Sequence, residues 1–575
     1  LRMTWFIFLL LVLPIVYAQT SPCDAIEDAF SRIIDTKDSP ACRCFVDSST
    51  SSDDMWIGCN GHSMPAVFDS LRSLNETDLS KLHIWDSLTN ILPSDMLAKV
   101  RPRSLIIEKS GLGLVREKVF AGIGTRLKHL TLRNNILKKV DPVVLQDLTK
   151  LQSLDISKNK ISRITIEDMA PLSQLTELNL ADNEIEYIED SAFAKMTNLK
   201  TLSLQGNKLK SINNGTLKGL RSLEQLDLSR NYLDSIDWST INEMKQLRVL
   251  NLGTNSLSSI QLRGFPHLHK ILLNNNSFYS LRKLSLRDLP ALQRITLDRN
   301  SISLIGENDL NGLVASTSLI SFSIAANNIS HINARALSPL SNVAVLSMQN
   351  NELKSLSSEK QPWLGPLRKL HTLLLSGNSI SLIREGELPA SLKIIALDHN
   401  NIQEIDGTAF LGLRPTHLYI NNNHLNHLTR GIFDTFSNES LQAIDLSGND
   451  WLCLCGEEWL GEWLANRSEM DMAEPRTNGC LSTKACSIHN PRQDESNSSW
   501  VTGLAALLAA ISLVILVAIA WLFLDDTPRS IPPHKEYKAR GVNVDRLRLI
   551  NDRERSQSIS TPLPSSARRV RFDGD

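Results

Sequence analysis

Between Leu79 and about Leu452, apolar and polar positions recur as L-x-x-L-x-L-x-x-N-x-L roughly every 24 residues. One copy reads Leu175, Leu178, Leu180, Asn183, Ile185, Ile188, Phe193, and the next reads Leu199, Leu202, Leu204, Asn207, Leu209, Ile212, Leu217. Units begin near Leu79, Pro102, Leu127, Leu151, Leu175 and Leu199. They continue near Leu223, Leu247, Leu268, Leu292 and Leu319, and then near Val343, Leu370, Leu392, Pro415 and Leu441, about sixteen in all. Five consecutive spacings from Leu127 to Leu247 are 24 residues; later ones run from 21 to 27. Alternation within L-x-L sends both leucines to one face, so each core predicts a short strand. A single unit of this length cannot bury its apolar face. Parallel stacking of successive units makes one continuous core.

The asparagine after each strand, from Asn135 and Asn159 through Asn423 and Asn449, sits where the chain must turn away from the sheet. Its amide can donate to and accept from buried backbone groups of adjacent turns, which must be paired. Eighteen residues after most unit starts an apolar residue recurs, for example Phe120, Met169, Phe193, Phe410 and Phe433. These predict a second spine on the side away from the sheet. The first two units depart from the pattern, with Ser87 and Ser110 in the asparagine place.

The flanks predict the rest of the organisation. Residues 1–18 contain an apolar run from Trp5 to Val16 followed by Val16-Tyr17-Ala18, the form of a signal peptide. Residues 19–78 then form an N-terminal cysteine-bearing cap, 79–448 the repeats, 449–490 a C-terminal cap and 491–499 a stalk. The run Trp500 to Leu524 carries no charge and is long enough to span a bilayer as a helix. The polar tail 525–575 holds eleven Lys/Arg, against two in 480–499, which orients the tail to the cytoplasm. Seven Asn-x-Ser/Thr sequons, at Asn75, Asn214, Asn275, Asn328, Asn438, Asn466 and Asn497, all precede that span. The expected location is the plasma membrane, single-pass, with the repeats outside the cell.

Four cysteines precede the repeats (Cys23, Cys42, Cys44, Cys59) and four follow (Cys453, Cys455, Cys480, Cys486). Even clusters in a chain with a signal peptide read as disulfides rather than metal ligands. His399, His417, His424 and His427 are neighbours only in sequence, and no metal or cofactor is expected. A net charge of −1 gives no bulk attraction to nucleic acid. There is no nucleophile elbow, no HExxH and no phosphate loop, so an enzyme is not expected.

The periodicity resembles the leucine-rich-repeat signature. It implies an α/β solenoid with a curved parallel sheet on its concave side, disulfide-capped at both ends. With Asn449-Asp450-Trp451-Leu452-Cys453-Leu454-Cys455, Trp459 and Trp463, the layout resembles extracellular leucine-rich-repeat type I transmembrane proteins. That resemblance implies the pairings Cys453–Cys480 and Cys455–Cys486, and Cys23–Cys44 and Cys42–Cys59 at the other end. The early units, such as Leu105-Ile106-Ile107-Glu108-Lys109-Ser110-Gly111-Leu112, look like repeat-only proteins of nematodes and arthropods. That group includes chaoptin-like adhesion proteins and organisers of the apical extracellular matrix.

The expected function is cell-surface binding of an extracellular protein or matrix ligand, in adhesion or in apical matrix organisation in epithelia. The alternatives are a signalling receptor or co-receptor acting through its short tail, and a shed matrix component. Outward sheet positions in one early unit are His129, Thr131, Arg133 and Asn134, a polar set. Later units instead give Leu374, Ile394, Ala396 and Tyr419, an expected exposed apolar strip for ligand. A glycan at Asn275, placed on the concave side, would obstruct the centre. In the tail, Arg569-Val570-Arg571-Phe572 resembles the RVxF docking motif for protein phosphatase 1, with Val570 and Phe572 on one side of an extended segment. Ala505 with Ala509, and Ala506 with Ala510, are small pairs that would let two membrane helices meet in a homodimer.

Overall fold

The structure is a computed structural model. It describes residues 23–32, 40–46, 55–61, 63–139, 141–436, 440–451, 458–465 and 471–473. The predicted signal peptide, membrane run and tail lie outside the described residues, as do Cys453, Cys455, Cys480 and Cys486. So do Asn438, Asn466 and Asn497, the alanine pairs, and Arg569, Val570 and Phe572. Among the described residues, no helix is long and apolar enough to cross a membrane.

Each repeat contributes one strand to a single sheet, and the strands pair in chain order from Thr77–Trp85 to Ala443–Asp445, all parallel. Leu178 lies in register between Leu154 and Leu202. No unit satisfies its own strand. Leu204 N–H donates to Asp227 of the following unit (2.8 Å), and Lys200 N–H to Thr176 of the preceding one (2.8 Å). On the side opposite the sheet the chain returns through single helical turns or strands of two to four residues. The turn Ile166–Met169 is set by a capping box in which Thr165 and Asp168 exchange side-chain and backbone bonds. The spine residues Phe120, Met169, Phe193, Phe410 and Phe433 are all buried.

The asparagine ladder links these layers. Asn159 Nδ2 donates to Ile156 O of its own unit (3.0 Å) and to Leu132 O of the preceding unit (2.9 Å). Its Oδ1 accepts from Leu137 N–H, 3.0 Å away in the preceding unit. The same triangle recurs at Asn183, Asn207, Asn231 and Asn255, and on through Asn449. One planar amide thus pairs groups that the turn would otherwise leave buried and bare. Serine is too short for this. Ser110 Oγ donates only within its own unit, to Glu108 O, and accepts from Ser87 N–H.

A second column precedes the ladder. The residue before each ladder position is left-handed, including Asn134, Lys158, Asp182, Arg230, Asn275 and Arg299, with φ between 51° and 56°. Left-handed backbone costs a side-chain-bearing residue about 1–2 kcal/mol, and the ladder bonds offset it. Three of these places are glycine. At Gly377 (φ +69°) an added Cβ would lie 2.4 Å from Asn350 Oδ1. Gly377→Ala is expected to destabilise the chain by about 1–3 kcal/mol. Part of that loss should be recovered in an Asn350→Ala background, as measured by denaturant unfolding of both variants.

Both ends of the parallel series are covered. At the N-terminal end the sheet runs on into the cap. Met55–Asn60 pairs parallel with Thr77–Trp85, and Cys42–Val46 closes the edge antiparallel to it. Cys42 is bonded to Cys59 across that pair, and Cys23 to Cys44, which ties helix Asp24–Ser31 to the edge strand. Helix Met64–Arg72 turns Val67 and Leu71 inward. At the other end, helix Glu458–Ala465 lays Trp459 and Trp463 against Phe433, with ring centroids 6.3 and 4.9 Å apart. Leu460 and Leu464 are buried beneath. Strand Asp471–Ala473 adds to Ala443–Asp445.

Candidate protein-binding face

The outward side chains of the sheet line one long face, and they differ along its length. In the middle, short polar residues bond to one another. Asn251 Nδ2 donates to Asp227 Oδ2 (2.9 Å), and Ser323 Oγ to Asp298 Oδ1 (2.5 Å). Burial lifts the Asp298 carboxyl above its ordinary value, against the bonds from Ser323 and Ala325 N–H. Farther on, Ser376 Oγ and His399 Nδ1 converge on the buried Asp398.

The expected apolar strip needs correction. In register, Leu374, Ala396 and Tyr419 do lie side by side, as do Thr372, Ile394 and His417. However, Ile394 is 4% exposed and Ala396 2%, while Leu374 and Tyr419 are half-buried. Strands are about 4.8 Å apart, so Leu374 and Tyr419 close over the alanine between them. Thr372 and His417, themselves buried, flank Ile394. Asn275 also lies elsewhere than expected. It is exposed, but in the left-handed turn three residues beyond the strand Lys270–Leu272 rather than on the sheet. Asn134 occupies the corresponding turn. Asn75, Asn214 and Asn328 are exposed too.

The accessible aromatic surface is at the other end of the sheet. Phe45 and Trp56 stack face to face with centroids 4.2 Å apart, and Lys81 Nζ lies 4.0 Å from the Trp56 ring. His83 packs on Trp85 at 4.4 Å. Phe45 is 39% exposed; Trp56 and Trp85 are half-buried. Sequence reading missed this group because its members come from three strands up to forty residues apart. The signal that could have found it is the first unit's aromatic outward set, His83 and Trp85, next to Trp56 one strand earlier.

A polar relay borders the rings. His83 Nε2 is 3.0 Å from Glu108 Oε1, and Arg133 Nε donates to Glu108 Oε2. Burial drives the His83 imidazole below its ordinary 6.5, outweighing the carboxylate beside it. Burial pushes the Glu108 carboxyl upward, but the bonds from Arg133 and His83 prevail and hold it below 4.5. Both folded-state values lie below the unfolded ones, so both groups stabilise the fold above the unfolded pKa and lose that effect as pH falls. Acid should therefore weaken the first units, starting below 6.5 for His83 and continuing below 4.5 for Glu108. His129 is lowered in the same way by burial, so His83→Asn should reduce the first step without abolishing it, read as the melting temperature between pH ~7.5 and ~5.5.

Comparison with known proteins agrees with this geometry. A model of the leucine rich repeat matches residues 103–161, 173–233, 222–271 and 390–450. A Caenorhabditis elegans protein, P-granule-associated novel protein 1, is 52% identical over 541 residues, covering 92% of this chain and 91% of its own. The chain belongs to the leucine-rich-repeat family. Fibromodulin of Sus scrofa is 34% identical over 124 residues, 21% of this chain and 80% of that sequence. Among solved structures, a leucine-rich-repeat protein of Leptospira interrogans superposes with a TM-score of 0.52 at 22% identity, over 67% of this chain and 93% of its own. That likeness concerns the fold alone. A leucine-rich-repeat solenoid is a scaffold for protein interaction, and the relatives' names carry no enzymatic activity. Among the described residues no cluster of His, Cys, Asp or Glu is arranged to hold a metal ion.

Proposed function

We propose that this leucine-rich-repeat protein acts at the cell surface, binding an extracellular protein or matrix ligand through its sheet face, in adhesion or in organising the apical matrix of epithelia. The observation that carries this is the pair of bridges, Cys23–Cys44 and Cys42–Cys59, in the cap. Such bonds form and persist in oxidising compartments. The exposed sequon residues Asn75, Asn214, Asn275 and Asn328 suit the same compartment. In this proposal residues 500–524 span the membrane once, and the tail faces the cytoplasm.

The name of the C. elegans relative favours a second reading, association with P granules. The compartment separates the two. Surface biotinylation of intact cells, followed by N-glycosidase treatment and non-reducing electrophoresis, tests both. The surface proposal expects biotin labelling, a mobility shift on deglycosylation and bonded cysteines. An unlabelled, unglycosylated, reduced chain found in granules would replace it with the second reading.

A further inference from the structure

We propose that the N-terminal end of the sheet face is a docking site for an acidic segment of a partner protein, with an apolar anchor seated on the rings around Gly58; this rests on the sheet face being a protein-binding surface. Gly58 is the centre of the site. It lies in register beside His83 on the strand Met55–Asn60. A Cβ there would come within 2.9 Å of the Trp56 ring and 3.2 Å of both Phe45 and Trp85. Three rings from three strands therefore converge over one backbone position. Large aromatic side chains give interface area at small conformational cost, and Trp is among the residues enriched at interface hot spots.

Charge selects the partner. Lys81 is already on the Trp56 ring, and Arg43, Lys109, Lys128 and Arg133 are exposed cations on the neighbouring strands and their flanks, Arg133 being paired with Glu108. Among the described residues beside the rings the acids are Asp86 and Glu108, and Glu108 is held by both His83 and Arg133; Asp155 lies outward one strand beyond Thr131. At the strand entries, Glu76 and Asp78 pair with Arg101, and Asp78 also with Arg126. An apolar aromatic centre with cations at its margin has the core-and-rim layout of a protein interface. A bare polyanion would instead favour clustered cations without the rings. The complement is a segment with Asp or Glu around one aromatic or aliphatic residue. Within 43–58 and 81–133 there is no sequon; Asn75, between these segments, precedes the strand Thr77–Trp85.

The test is selection of a displayed random-peptide library on the full chain, with resynthesised peptides then titrated against variants. Selected peptides should be rich in Asp and Glu around an aromatic or aliphatic residue. Trp85→Ala should weaken their binding about thirtyfold and Lys81→Glu about tenfold, with affinity falling as salt rises. Lys81→Glu changes a side chain at the sheet surface, so it serves even if Trp85→Ala fails to fold. Neutral or basic peptides, no selected peptide, or affinities unchanged in both variants would overturn the site. So would a heparin oligosaccharide that competes with the peptides and binds wild type and Trp85→Ala alike. Peptides lost on Leu374→Asp or Tyr419→Asp but kept by Trp85→Ala would overturn this site while leaving the sheet face as the binding surface.

Discussion

Replacing Asn207 with leucine should cost about 3–5 kcal/mol of stability. Asn207 is buried at the middle of the ladder. Its Nδ2 donates to Leu180 O at 3.0 Å and to Leu204 O at 2.9 Å, and its Oδ1 accepts from Ile185 N–H at 3.0 Å. Leucine has the same number and branching of side-chain heavy atoms and is larger rather than smaller, so the loss would not come from a cavity. It would come from the Ile185 N–H left without a partner away from water, about 1–3 kcal/mol, and from one bond lost at each of Leu180 O and Leu204 O, about 1 kcal/mol apiece, since these keep Asn183 and Asn231 Nδ2 as donors. Aspartate should do no better, because it keeps the acceptor, loses the donors and adds a buried charge. Lys208→Ala, one residue on and half-buried at the flank beside Glu184, should change stability by less than about 1 kcal/mol. Denaturant unfolding of the three variants decides this. A loss below about 1 kcal/mol for Asn207→Leu would mean the ladder does not hold the units together.

Removing the bridge between Cys42 and Cys59, with alanine at both positions, should cost about 3 kcal/mol, as expected for a closed loop of this length. The residues it joins are 17 apart in sequence. The effect should be local, because each unit of a solenoid touches only its neighbours. Amide exchange should quicken in the strands Met55–Asn60, Thr77–Trp85 and Val100–Glu108 and stay unchanged beyond about Leu199. There is a functional consequence. Phe45 and Trp56 stack across the two strands that this bridge joins. Breaking it should therefore weaken acidic-peptide binding about as much as Trp85→Ala does. Unaltered peptide affinity with faster exchange at Trp56 would separate the aromatic platform from the proposed site.

The repeating part of the fold was legible because its constraints are local and periodic. Leucine spacing fixes the strand, and the asparagine marks the turn; the sixteen strands from Thr77–Trp85 to Ala443–Asp445 follow the sixteen unit starts. What escaped was set by backbone conformation or by meetings between units. The left-handed column is occupied by Lys158, Asp182, Arg230 and Thr254 as readily as by glycine, so no residue type announces it. The longer unit after Val343 turns its extra residues into a hairpin, Ser357–Ser358 with Gln361–Pro362. That hairpin buries Trp363, whose Nε1–H donates to Ser355 O. Nothing in the spacing alone shows that hairpin. The strip at Ile394 and Ala396 was misjudged for a related reason. Facing outward on a strand is not exposure when the in-register neighbours pack against both sides. The ring cluster over Gly58 depends on the cap strand continuing the sheet, which a separate cap domain would not provide.

Amide hydrogen exchange across the full chain tests the central claim most directly: that the units stack into one continuous core held by inter-unit bonds. The account predicts slow exchange at every strand and at each amide bonded to a ladder asparagine, such as Leu137, Ile161, Ile185 and Leu209. Protection should run unbroken from Thr77 to Asp445, fading only toward the ends. Protection confined to isolated segments, with ladder-bonded amides exchanging as fast as the exposed turns, would contradict it.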